Sequence, residues 1–133
     1  MLFFDTHQSP LYPGTGDSSE TGTGKGVGFT INCPFPGGTG GTAILDAYEK
    51  KLLPAARNFK PDLVMISAGF DSRIGDPLGG FRLTDEDYIT MTQFVMKIAA
   101  EFAHGKIVSV LEGGYSLEGL AKAAAAHVGA LVG

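Results

Sequence analysis

The chain has 133 residues, 44% of them apolar and 18% charged, which fits one globular domain over 1–133 and excludes a disordered chain. The net charge is −4 with no basic patch, which excludes the electrostatic footprint of a nucleic-acid binder. No apolar run approaches membrane-spanning length, Met1 to Asp5 lacks a signal-peptide pattern, and the lone Cys33 permits no internal disulfide, so a reducing, cytoplasmic setting is expected.

Leu2-Phe3-Phe4 predicts a short strand. Residues 8 to 26 are rich in Gly, Ser, Thr and Pro and predict a long loop, of a length that is usually functional in a compact domain. Val27 to Cys33 alternates and is β-branched, which predicts a strand, ended by Pro34, Pro36 and the glycines that follow. Thr42 to Phe59 carries helical spacing, with Thr42 as its cap and Pro54 placed to kink or shorten the last turn. Leu63 to Ile66 is a continuous apolar run, as in a buried parallel strand. Thr84 and Asp87 form a capping-box start for a helix that runs to about Phe102 and stops at Gly105. Ile107 to Leu111 predicts a second buried strand. Ser116 to Val132 predicts an alanine-rich helix with Leu117, Leu120 and Leu131 on its apolar side.

Strands and helices in alternation imply an α/β fold, a parallel sheet covered by helices. Ligands in such sheets bind beyond the carboxyl ends of the strands. That rule selects Asp5 to Gly16, Ser67 to Gly80 and Glu112 to Ser116. Asp71 is a carboxylate at that edge, suited to a metal or to base chemistry, or else to an Asx-turn or helix cap. Gly113 and Gly114 let the backbone approach a ligand closely, and the Tyr115 hydroxyl behind them can stabilise an oxyanion. The alternative there is a Gly-Gly turn with a rim tyrosine and Ser116 as N-cap. Tyr12 either walls a channel or packs its own loop. His7 is the only histidine placed like a site residue, while His104 and His127 read as structural or exposed. No two histidines have metal-ligand spacing. Gly22 to Gly26 fails as a phosphate loop because a strand follows it. Ser67 fails as a nucleophile elbow because Met65 stands where the first glycine belongs.

Taken in order, His7 to Gly16, then Gly24 to Phe29 with Asn32, then Ser67-Ala68-Gly69-Phe70-Asp71, then Gly75-Asp76-Pro77-Leu78-Gly79-Gly80, then Glu112-Gly113-Gly114-Tyr115 resemble the C-terminal half of the histone deacetylase superfamily. The likeness covers essentially the whole chain, and is greatest to the histone deacetylase-like and acetylpolyamine amidohydrolases. It implies a partial arginase/deacetylase fold lacking its N-terminal half, and a parent chemistry that hydrolyses the amide of acetyl-lysine or an acetylpolyamine. The family's metal is zinc, held by two aspartates and a histidine. The resemblance assigns Asp71 to the second aspartate and Tyr115 to the tyrosine that donates to the carbonyl oxygen. It assigns Tyr12 and Leu78 to the substrate channel, and Gly113 and Gly114 to its floor. Asp5-Thr6-His7 matches a stretch that helps bind a monovalent cation, where the family more often has serine in place of Asp5.

The family's Asp-x-His pair and its adjacent histidines have no counterpart in this sequence. One carboxylate does not hold catalytic zinc, since three protein ligands are the norm. The resemblance therefore implies that this chain alone neither binds zinc stably nor turns over an acetylated amine. It also implies a vacancy, because the missing strand lies between the one leading to Asp71 and the one at Leu2 to Phe4. Either the strands close up or a second copy fills the gap and makes a homo-oligomer. Three readings follow: a deacetylase fragment inactive alone, a non-catalytic binding or structural module, or an enzyme whose site forms between chains with His7 recruited as a ligand.

Overall fold

The computed structural model describes residues 1–133. Strand β1 spans Phe3–Gln8, longer than the predicted Leu2 to Phe4, so His7 lies within the strand and not after it. Strand β2, Thr30–Phe35, runs parallel to β1, with Phe3 opposite Thr30 and Gln8 opposite Phe35. The predicted bounds of this strand shift. Val27 and Phe29 are exposed, beyond a 3-10 turn at Gly24–Gly26. Pro34 does not end the strand. The amides of Phe3 and Ser9 donate to the carbonyls of Phe29 and Phe35, so the odd positions of β2 face β1. The nitrogen of Pro34 therefore points away from the ladder, where its missing N–H costs no bond.

Residues 41 to 59 are helical, as predicted, but not uniformly. Helix α1 is Gly41–Ala47, a π turn covers Tyr48–Leu52, and helix α2 is Leu53–Phe59. Thr42 is not the cap, because Gly40 holds that position with no side-chain bond. Pro54 sits in the first turn of α2, and the π turn before it absorbs the misfit a proline makes inside a helix.

Strands β3, Val64–Ala68, and β4, Ile107–Leu111, form a second parallel pair. Helix α3, Asp85–Phe102, starts with the expected capping box, in which the Asp87 amide donates to Thr84 Oγ1 at 3.2 Å and the Thr84 amide to Asp87 Oδ2 at 2.8 Å. Helix α4, Leu117–Val132, is capped by Ser116, whose Oγ accepts the Gly119 amide at 3.1 Å. Leu117 does not join its apolar side and is exposed, while Gly119, Ala123 and His127 are buried.

One cluster forms the core. Ile44 of α1, Tyr88 of α3 and Ala123 of α4 pack with Ala68, Phe70, Phe81 and Leu83, and Phe35 and Ile66 lie against them. These helices cover one face of β3 and β4. The reading of both strands as fully buried is corrected: alternate residues point to the other face, where Met65 is 68% exposed and Val108 and Val110 are about half exposed. A continuous apolar run suits a strand covered on both sides, and this chain supplies the cover for one.

The two strand pairs share no ladder and do not close up into one sheet. Contacts between the segments that follow them tie the pairs instead. Phe35 and Phe81 meet edge-on at 6.5 Å, the Gly38 amide donates to the Gly80 carbonyl at 2.7 Å, and the Gly80 amide donates to Gln8 Oε1 at 2.7 Å.

His127 is buried and links three elements. Thr92 Oγ1 donates to the Tyr88 carbonyl at 2.6 Å, so it accepts from His127 Nδ1 at 2.7 Å. Ser109 Oγ then donates to Nε2 at 2.8 Å. Burial pushes the imidazole below its ordinary value of 6.5. The unfolded chain takes up a proton there that the folded chain resists, so stability is full above about pH 6.5 and falls as pH drops below it. Urea midpoints measured between about pH 7 and 5.5 should decline in the parent, and this decline should flatten in His127→Gln.

Candidate active site

The site is built at the carboxyl end of β3. Phe70 turns into the core and is 3% exposed, and its amide donates to the Gly113 carbonyl at 2.8 Å. That bond joins the segment after β3 to the segment after β4. Asp71, the next residue, projects outward and is half-buried. A Cβ on Gly113 would collide with the Asp71 carboxylate, and one on Gly79 would collide with the Asp71 carbonyl oxygen. The glycines thus allow the backbone to close on this chain's own aspartate. Burial pushes Asp71 above its ordinary value, and the nearby carboxylates of Asp76 and Glu112 add to it. A carboxylate raised in this way gains from a cation beside it.

An open cleft of roughly 900 Å³ contains Asp71 together with His7 and Tyr12. His7 Nδ1 lies 2.5 Å from Asp5 Oδ1, and its ring packs over Gly16. The long loop bordering the cleft is tied down by buried Asn32, whose Nδ2 donates to the carbonyls of Asp17 at 3.2 Å and Glu20 at 2.9 Å. Although His7 and Asp71 border one cleft, no three His, Cys, Asp or Glu side chains converge on a point. The donor set therefore does not fit a zinc ion, which takes at least three protein ligands.

Tyr115, Leu78, Gly113 and Gly114 do not line this cleft. Tyr115 is 54% exposed and Leu78 66%, while Tyr12 on the cleft is 97% exposed, so no channel encloses these side chains in this chain. One residue unites the segments that carry Leu78 and Tyr115. Asp76 Oδ1 accepts the amides of Leu78 at 2.8 Å and Gly79 at 2.9 Å. Its Oδ2 accepts the amides of Tyr115 at 2.8 Å and Ser116 at 3.2 Å. Burial alone would push Asp76 up, but the backbone N–H groups of Gly79, Tyr115, Leu78 and Ser116 outweigh it and hold the carboxyl below its ordinary value.

Reading the residues in isolation misses Asp76. Its signal is the turn pattern Asp76-Pro77-Leu78-Gly79, with Asp first, Pro second and Gly fourth. Gln8 is missed too, and no local pattern reveals it, because its partner Gly80 lies 72 residues away. Arg73 is a third. Its guanidinium donates to both oxygens of Asp85, at 2.6 and 3.0 Å, and ties the Asp71 segment to the start of α3.

The family profile of the histone deacetylase domain matches residues 1–131. The chain belongs to the histone deacetylase family. It is 41% identical over 133 residues to histone deacetylase 14, chloroplastic, of Arabidopsis thaliana, covering all of this chain and 31% of that protein. A probable deacetylase of Archaeoglobus fulgidus is 44% identical over 119 residues, covering 90% of this chain and 33% of its own length. Among solved structures, the HDA15 HD domain superposes with a TM-score of 0.92 at 38% identity, over 98% of this chain and 37% of that one. The histone deacetylase Clr3 superposes at 0.91 and 37% identity, over 98% and 22%. The chain thus spans about a third of the length of these two curated relatives. The partial deacetylase fold implied by the motifs is the fold observed. No helix is long and apolar enough to cross a membrane.

Two glycines separate the roles that glycine plays here. Gly113→Ala forces a methyl group into the Asp71 carboxylate and should destabilise by about 1–3 kcal/mol. Gly129→Ala, inside α4 with nothing within 4 Å of the new Cβ, should stabilise by roughly 0.5–1 kcal/mol. Chemical denaturation of both variants checks the opposite signs.

Proposed function

We propose that this chain forms the carboxylate-and-tyrosine side of a deacetylase active site and does not hydrolyse an acetylated amine by itself. The observation that carries this reading is the joining of the Asp71 and Tyr115 segments at the carboxyl ends of β3 and β4, in a histone deacetylase fold whose own donors do not make up a metal site. In this reading Asp71 is one metal ligand of a site that residues outside this chain complete. The Tyr115 hydroxyl donates to the substrate carbonyl oxygen as that oxygen gains charge, in the manner of an oxyanion-hole donor. Tyr12 and Leu78 are walls of the acyl-amine channel, with Gly113 and Gly114 as its floor. His7 is held by Asp5, and serves as a ligand only in an assembly that brings further donors to the cleft.

A second reading is favoured by one observation. The face of β3 and β4 that carries Met65, Val108 and Val110 is apolar and uncovered, which suits a non-catalytic module that binds another polypeptide there. A second copy of the chain, covering that face in a homo-oligomer, is the simplest such partner.

The test is deacetylation of an acetyl-lysine peptide by the purified chain with zinc supplied. Turnover should not exceed that of the zinc buffer. Turnover above it that falls by about two to three powers of ten in Tyr115→Phe would contradict the proposal and place the complete site between chains.

A further inference from the structure

We propose that Asp76 is the positioning residue for Tyr115, a single carboxylate that sets the backbone of that tyrosine and of Leu78 against one another. The inference rests on the reading of Tyr115 as the carbonyl donor and adds what holds it in place.

The argument begins with the freedom Tyr115 would otherwise have. The residue follows two glycines, which resist few backbone conformations. Its side chain is more than half exposed and no hydrogen bond fixes its hydroxyl. On the N-terminal side the nearest restraint is the bond from the Phe70 amide to the Gly113 carbonyl. On the C-terminal side it is the Ser116 cap on α4. Between them, the amides of Tyr115 and Ser116 have one partner, Asp76 Oδ2.

The other oxygen of Asp76 is occupied as well. Oδ1 closes an Asx-type turn on Leu78 and Gly79, and Gly79 in turn packs against the Asp71 backbone. The carboxylate therefore accepts four N–H groups, two from its own turn and two from a segment about forty residues on. Charge-assisted bonds of this kind are roughly twice as strong as neutral ones. The location also suits an anion, because Ser116 opens α4 and the positive end of that helix faces Asp76.

The chemistry gives an asymmetric expectation. In Asp76→Asn one oxygen becomes an NH2 group, which is a donor and cannot accept an N–H. The remaining oxygen serves one pair of amides. The local turn closes a short loop and keeps it, because a contact between distant segments costs more ordering entropy. Asn should therefore release Tyr115 and Ser116 and retain Leu78 and Gly79. A residue that served stability alone would show no such selectivity.

The experiment is amide hydrogen exchange followed by NMR on the intact 13.9 kDa chain and on Asp76→Asn. Protection at Tyr115 and Ser116 should fall at least about tenfold, with Leu78, Gly79 and the amides of β3 and α3 unchanged. Unchanged protection at Tyr115 and Ser116 overturns the proposal, and so does loss at Leu78 and Gly79 alone. If the variant fails to fold, the parent decides the matter through scalar couplings across hydrogen bonds. Correlations from the Asp76 carboxyl carbon to the amide nitrogens of Tyr115 and Ser116 uphold the proposal, and their absence overturns it. Both readouts report on the loop and not on turnover. They can fail while Tyr115 remains the carbonyl donor, and can succeed if it is not.

Discussion

The two parallel strand pairs share no hydrogen-bond ladder, so their placement rests on side chains packed from one face, above all Ile44, Phe70, Phe81, Leu83 and Tyr88. A lone pair of strands is marginal in water. Each pair here survives because helices supply the apolar partner it lacks. Phe35 reaches the same cluster from β2, and the Gly80 amide reaches across to Gln8. The frame is thus held from behind, leaving the cleft in front of it open.

The site inherits its order from that frame. Phe70 and Asp71 are neighbours in sequence with opposite destinations, one buried in the cluster and the other turned toward the cleft. Whatever fixes the ring of Phe70 fixes the direction of the carboxylate. From Asp71 the restraints run through the packing of Gly113 and then through Asp76, which binds the segments of Leu78 and Tyr115 to each other. The same sequence explains what the chain lacks. No three of its His, Cys, Asp or Glu side chains converge to hold a metal, and Tyr12, Leu78 and Tyr115 stand exposed.

Much of this was legible in the residues. The apolar runs at Leu63 to Ile66 and Ile107 to Leu111 marked both strands of the second pair, and Thr84 with Asp87 marked the start of α3, because each signal is local. The order of short motifs marked the family. The errors came where distant structure overrides local pattern. Pro34 ends a strand only if its nitrogen faces a partner, and the register with β1 turns it away. Pro54 was expected to kink or shorten the last turn, and the irregularity lies before it, in the π turn at Tyr48–Leu52, with helix continuing to Phe59. The strands looked buried on both faces because their sequences suit a sheet with two covers, and nothing in those runs reveals that this chain covers only one face. Asp76 and Gln8 owe their importance to contacts across 39 and 72 residues, beyond the reach of any window along the sequence.

The central claim is that this chain holds one side of a metal site and not the whole of it. The most direct measurement is the zinc content of the purified chain after dialysis, with its mass taken by light scattering on the same sample. The account predicts no retained zinc, whether the chain is monomeric or associated. About one zinc per chain held through dialysis would contradict it, and the mass would then show whether a second copy supplied the missing ligands.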